Sequence, residues 1–413
     1  MAYNFNKIYI NGHWCDSTSG RFIEVENPAT LEHFARVPEG NEKDIDAAVK
    51  AAHEAFKSWS NTELAVRVGL MKKMLTIFEG YQDKIIDLEV KELGAPVSFS
   101  VQSHCVYQYT RTQSYIDCAM QLPLEESLQA STVYREPIGV VACITPWNYP
   151  LGQVVQKVIP AILMGNTVVL KPSQHTPLTA YLLIDAFDQA GFPPGVINMV
   201  TGKGSAVGDA LVSHPLVDMV SFTGSTKVGS KLSQRALESI KRISLELGGK
   251  SPFIWLPGSD YEKAVGKLFD SIFLNSGQTC TAFSRLLVAE EDKKTVEALL
   301  LKHVPDYIVG DPSDPKTKIG PVLCLITYKT IEEAIDIAND TPYGLNAAVF
   351  GNKQKAIEVA KQIKAGNVYI NDAPRDVTAP FGGYKQSGIG REGGFAGLLE
   401  FTQPKAIFDR SSF

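Results

Sequence analysis

Thr167-Val168-Val169-Leu170-Lys171-Pro172-Ser173 is the stretch from which the fold can be read. An apolar, β-branched run stops at a lysine and a Pro-Ser turn, the pattern of a strand covered on both faces. Upstream, Gly139 to Ile144 is a second run of the same kind. Downstream, the spacing predicts a helix from Thr176 to Ala190 and a strand at Val196-Ile197-Asn198-Met199-Val200. A helix near Ser205 to Ser213 and a strand at Met219-Val220-Ser221-Phe222 follow. Repeated units of this kind predict a mostly parallel sheet with helices on both faces and a ligand site beyond the strands' carboxyl ends.

Working outward, residues 7 to 26 read as a hairpin around Asn11-Gly12 and an extended arm. Helices are predicted from Asn41 to Trp59, Glu63 to Glu79 and Gln82 to Leu93, continuing towards Met120. Residues 121 to 139 alternate like a polar strand. A second α/β region follows Leu247-Gly248-Gly249. It has strands at Phe253 to Leu256, Leu286 to Val288, Ala347 to Phe350 and Asn367 to Ile370, and helices from Thr330 to Asn339 and Lys353 to Ile363. The tail from Leu398 to Phe413 is short and mixed.

With 413 residues, the chain exceeds one ordinary core. A net charge of -5 with scattered basic residues gives no reason to expect nucleic acid or an anionic membrane as partner. The most apolar stretch, Val154 to Leu170, is too broken by Gln156, Lys157, Pro160 and Asn166 to span a bilayer. Widely spaced cysteines without a CxxC pair point to free thiols, and with no signal peptide evident the cytoplasm is the economical location. Histidines without HxxxH or HExxH spacing give a metal site little support.

Chemistry concentrates in a few places. Cys280 sits in Asn275-Ser276-Gly277-Gln278-Thr279-Cys280-Thr281, whose small neighbours let a substrate approach a thiol closely; a buried, inert cysteine is the alternative. Glu246 lies between Leu245 and Leu247, an apolar setting that would raise its pKa and suit a general base; a glutamate facing outward on an exposed strand is the alternative. In Pro146-Trp147-Asn148-Tyr149-Pro150, the Asn148 amide could donate to an oxyanion or close an Asx turn. Phe222-Thr223-Gly224-Ser225-Thr226 joins a strand to a helix N-terminus and could hold a phosphate or serve as an N-cap. Lys171, at a strand end, could donate to ribose hydroxyls or stand as a solvated surface lysine. Gly202 to Gly208 is glycine-rich but reads mainly as a turn.

Taken together with Glu246-Leu-Gly-Gly-Lys-Ser, Gly277-Gln-Thr-Cys280 and Pro380-Phe-Gly-Gly-Tyr-Lys-Gln-Ser-Gly-Ile-Gly-Arg-Glu392, these segments resemble the aldehyde dehydrogenase superfamily, in order and over essentially the whole chain. The resemblance implies an α/β fold: a Rossmann-like dinucleotide-binding domain (1–120 and 140–247), an α/β catalytic domain (248–397) and a small β oligomerisation element (121–139 and 398–413). It implies an NAD(P)-dependent oxidoreductase that oxidises a small-molecule aldehyde to a carboxylic acid. Cys280 would be the nucleophile, Asn148 an oxyanion donor and Glu246 the base that activates water. The implied cofactor wall comprises Ile144, Thr145, Trp147, Lys171, Ser173, Gln174, Gly204, Phe222, Thr223, Gly224, Ser225, Val228, Leu247 and Gly248. Tyr149 and Phe381 would line the substrate tunnel, and a homodimer or homotetramer is expected. The alternatives are a CoA-acylating semialdehyde dehydrogenase and a non-catalytic cofactor-binding protein.

Three positions depart from the family pattern. Gln174 stands where NAD-preferring members usually carry a glutamate, so NAD use with some tolerance of NADP is expected. Gln403 stands where many members have a glutamate implicated in a proton relay with Lys157 and Glu246. At Gly320-Pro321-Val322 a whole piece of the family pattern is absent, and Thr317 and Ile319 replace a glutamate and a phenylalanine that hold the nicotinamide side. Either the segment is deleted, or the molecule carries a segment that this sequence omits. The second is favoured, because a scaffold losing several elements strands sheet edges and apolar surface.

Overall fold

The computed structural model describes residues 5–318 and 323–408. Ile319 and the Gly320-Pro321-Val322 junction lie outside the described residues.

An eight-stranded sheet has five parallel strands at its heart, in the order Arg242–Glu246, Met219–Thr223, Val140–Ile144, Thr167–Lys171, Ile197–Met199. All residues of Val140–Ile144, Thr167–Lys171 and Met219–Thr223 are buried, which is why they read as unbroken apolar runs. From Val140–Ile144 the chain builds first to one side and then, at Met219–Thr223, to the other. The gap between the ends of these two strands is therefore the topological switch point where an α/β sheet opens a crevice.

The Ile8–Ile10 and His13–Cys15 hairpin extends one edge of this sheet, with Asn11 and Gly12 at φ 52° and 77°, as a two-residue turn requires. Helix Glu42–Trp59 is closed by a capping box: Asn41 accepts from the Lys43 and Asp44 N–H groups, and Asp44 accepts from that of Asn41. Helices Leu64–Glu79, Gln82–Leu93 and Leu178–Ala190 fall where the periodicity places them.

Among the described residues, three α-helices lie outside the elements read from the sequence, the shortest being Gly394–Leu399. Pro150–Leu163 is buried at every position; Gln153, Gln156 and Lys157 recur at helical spacing, but Pro150 and Pro160 disguise the run. Lys293–His303 buries only Val296.

A second sheet holds five parallel strands in the order Cys324–Tyr328, Arg285–Ala289, Pro252–Trp255, Asn346–Phe350, Asn367–Ile370. The tail strand Thr402–Phe408 pairs antiparallel with Ser131–Pro137, which also pairs with Glu125–Ser127. One segment crosses between the regions: Gly388–Ile389 pairs with the end of Arg242–Glu246, with Gly388 opposite Glu246. Glu246 is thereby fixed at the seam between the two α/β units.

Candidate active site

The Cys280 loop begins where helix Tyr261–Ile272 ends. Asn275, Ser276 and Gly277 follow at φ 51°, 56° and 77°, three consecutive left-handed residues that turn the chain back sharply. Asn275 anchors this turn. Its amide donates to the Asn148 carbonyl at 2.6 Å, and its side-chain oxygen meets His104 Nε2 at 3.2 Å. Asn148 answers by donating its amide to the Gln278 carbonyl at 2.7 Å, and the Tyr149 and Thr279 hydroxyls meet at 2.8 Å. The Asn148 loop and the Cys280 loop are thus stitched into one unit. Gly249 supports it from below, since a Cβ there would lie 2.7 Å from the Cys280 carbonyl oxygen.

Cys280 is half-buried, and its backbone N–H faces its own sulfur. Burial, and then the nearby Glu246 carboxyl, push the thiol up to about 12, so at neutral pH it rests protonated. Two cavities meet at this residue.

The larger cavity, about 630 Å³, opens at the switch point, and every residue read above as cofactor-binding lines it. A dinucleotide fits what is found there. The Thr145 and Thr223 hydroxyls are buried without a partner. The Lys171 ammonium is buried against only its neighbour's carbonyl, Pro172 O at 2.9 Å, and burial lowers it to about 8. Ser225 caps helix Thr226–Leu237 by accepting from the Val228 N–H, leaving other first-turn N–H groups aimed at the cleft. A Cβ at Gly224 would stand 2.4 Å from the Phe222 ring, so a larger residue would have to displace that wall.

The smaller cavity, about 230 Å³, runs from Cys280 past Tyr149 and Phe381 to Arg111 and Arg375. Tyr149 and Phe381, read above as substrate-tunnel residues, both line it; the two arginines were not singled out. Arg111 lies on helix Tyr107–Gln121, which the sequence showed only as a continuing helical pattern, and Arg375 lies in an irregular loop.

Glu246 lines neither cavity. Its carboxyl is buried without a hydrogen-bond partner and turned towards Gly382, where a Cβ would approach one oxygen to 2.8 Å. Burial first, and then the charge of Glu392, hold it well above the usual carboxylate range. The environment anticipated from Leu245 and Leu247 is present, with a second carboxylate added.

The relay reading is corrected. Gln403 lies on the outer strand Thr402–Phe408, exposed, opposite Glu136. The carboxylate on Lys157 is Glu392, at 2.7 Å and buried, with Gln156 donating to its other oxygen. Glu392 stands in the motif quoted above, but nothing local marks a Glu after Gly-Arg as facing a lysine more than two hundred residues away in the chain. His104 and Asn275 were also missed; of these, only Asn275 lies in the stretch that was read for chemistry.

Among the described residues no group of three or more His, Cys, Asp or Glu side chains could hold a metal ion. None of their helices is long and apolar enough to cross a membrane.

The comparisons agree on one family. The model for the aldehyde dehydrogenase family matches residues 14–323 and 319–407, two blocks that meet at the Gly320-Pro321 junction. A 3-succinoylsemialdehyde-pyridine dehydrogenase from a Pseudomonas species is 38% identical, with 98% of each chain covered. That alignment runs over 471 residues, more than the 413 of this chain, so the relative carries residues that this sequence lacks. Among solved structures, a Mycobacterium tuberculosis aldehyde dehydrogenase complexed with NAD+ is 33% identical with a TM-score of 0.96, covering 100% of both chains. A mutant of aldehyde dehydrogenase C from Pseudomonas syringae, complexed with NAD+ and octanal, is 36% identical with a TM-score of 0.94, covering 99% of this chain and 97% of that one.

Proposed function

The chain belongs to the aldehyde dehydrogenase family, and from that premise we propose that it oxidises an aldehyde to a carboxylic acid with NAD+ through a Cys280 thioester. The observation that carries this reading is the place of Cys280, which lines both the dinucleotide-sized cleft and the smaller cavity where they meet, beside Tyr149 and Gln153. A nucleophile there reaches both substrates.

In this mechanism the half-buried Cys280 thiol gives its proton to solvent water as the sulfur adds to the aldehyde carbon, giving a thiohemiacetal oxyanion. The Cys280 N–H and the second hydrogen of the Asn148 amide, whose first is held by Gln278 O, stabilise the charge. When bound, NAD+ supplies the hydride acceptor, held by Lys171, Thr145, Thr223 and the N–H groups after Ser225. A thioester remains on Cys280. Glu246 takes a proton from water, whose oxygen adds to the thioester carbonyl; the acid leaves and the thiol is restored. To do this, Glu246 swings from its place beside Gly382 towards Cys280, and the buried Lys157–Glu392 pair offers its proton a way out. Gln174, a neutral amide on the cleft wall, does not repel a 2′-phosphate, so NADP is accepted as a weaker cofactor.

The test is Cys280→Ala. Production of NADH from an aldehyde should fall at least about a thousandfold, as expected on losing a covalent nucleophile, while NAD+ still binds by calorimetry. Turnover within tenfold of the parent chain refutes the mechanism.

A further inference from the structure

We propose that the aldehyde carries a carboxylate at its far end, which Arg111 and Arg375 hold in the smaller cavity. The proposal rests on the reading of Cys280 as nucleophile. The cavity that begins at Cys280 has two guanidinium groups in its wall. Arg111 is 7% exposed, yet its hydrogen bonds run to neutral oxygens: Gln108 Oε1 at 2.7 Å and the Gly152 carbonyl at 3.3 Å. Arg375 lies over the Phe381 ring at 4.8 Å and over the Tyr107 ring at 5.8 Å, and Arg111 lies over the same Tyr107 ring at 4.7 Å. Among the described residues neither arginine has a carboxylate partner. Glu392, the acid whose charge reaches Arg111, is already bound by Lys157 and Gln156.

Two cations in one small, partly desolvated cavity repel each other and are costly without an anion. The charge of Arg375 favours the thiolate of Cys280, and both arginines favour the phenolate of Tyr149, so their field reaches along the cavity. The Tyr107 hydroxyl, in the same wall, is buried without a partner. A carboxylate answers each of these needs. It accepts from a guanidinium fork, neutralises the pair and takes the phenol's hydrogen bond. A volume of about 230 Å³ lies below the ~300–1,000 Å³ usual for a drug-sized ligand, which favours a short chain between aldehyde and acid.

The experiment compares succinic semialdehyde with its neutral methyl ester, using the full chain and NAD+. The acid should have a kcat/KM at least about tenfold above the ester, the least expected of a charge-assisted hydrogen bond, and Arg375→Met should collapse that ratio through KM. Arg375 is exposed in its loop, so this variant is expected to fold even if Arg111→Met does not. A second measurement needs no turnover: succinamate should bind the cofactor-free chain at least about tenfold tighter than neutral succinamide, and Arg375→Met should erase the difference. If both aldehydes are oxidised equally and Arg375→Met changes neither, the anion subsite is overturned and aldehyde oxidation stands. If succinamate keeps its preference while no aldehyde is oxidised, the subsite stands and the oxidation reading falls. Equal binding of succinamate and succinamide overturns the proposal whatever the turnover.

Discussion

At Cys280, burial and the Glu246 carboxyl both favour the thiol, and both effects come from residues distant in sequence. In the cofactor-free protein, alkylation of Cys280 by iodoacetamide should therefore climb about tenfold per pH unit between about pH 7 and pH 10, because thiolate is the reacting form. Peptide mass spectrometry reads this directly, and a plateau by pH 8 would contradict the resting thiol. Cys280 was singled out as a candidate by its small, polar neighbours together with the motif around it. Its state was not, because a pKa depends on which groups the fold brings near. The same distinction explains Gln403 and Glu392. Position along the tail suggested the first, while the buried Lys157 side chain selects the second.

At the scale of elements, helix Leu178–Ala190 has no N-cap side chain of its own. Its first N–H groups are taken by Glu92, from the end of helix Gln82–Leu93, through bonds to Leu178 N at 2.8 Å and Thr179 N at 3.3 Å. Glu92→Ala should cost about 1–3 kcal/mol in urea unfolding. Burial pushes Glu92 up to about 8, so between roughly pH 4.5 and that value the folded chain binds more protons than the unfolded one. This group's contribution is complete below pH 4.5 and declines as pH rises. The deficit of Glu92→Ala should accordingly be larger at pH 5 than at pH 8, and the reverse order would refute the assignment. Amphipathic helices such as Glu42–Trp59 were legible because one face is wet. Pro150–Leu163 was not, because Pro160 interrupts its pattern and its polar residues, Gln153, Gln156 and Lys157, are buried rather than wet.

For the whole molecule, two apolar surfaces remain uncovered. One lies before the Gly320-Pro321 junction, where Leu301, Val304, Ile308 and Val309 are exposed, and Cys324–Tyr328, just after it, forms an open edge of the second sheet. These are the costs expected where a piece of scaffold is wanting. The other is the three-stranded sheet, with Leu128, Ile407 and Phe408 exposed. Native mass spectrometry should find a dimer or tetramer of protomers heavier than 45.1 kDa. A monomer would defeat the role given to residues 121–139 and 398–408, and a protomer of 45.1 kDa would mean that the deletion is real.

The sequence by itself determined the parallel α/β architecture, because strands buried on both faces must be apolar throughout. It also offered Cys280, Glu246 and Asn148 as candidates, through the ordered motifs that hold them rather than through their immediate neighbours alone. Only the tertiary structure decided that Cys280 joins two cavities, that Glu246 rests beside Gly382, that Glu392 holds Lys157, and that Arg111 and Arg375 face one space. Each of these is a meeting of side chains far apart in sequence, where no local pattern records the neighbour and only packing supplies it.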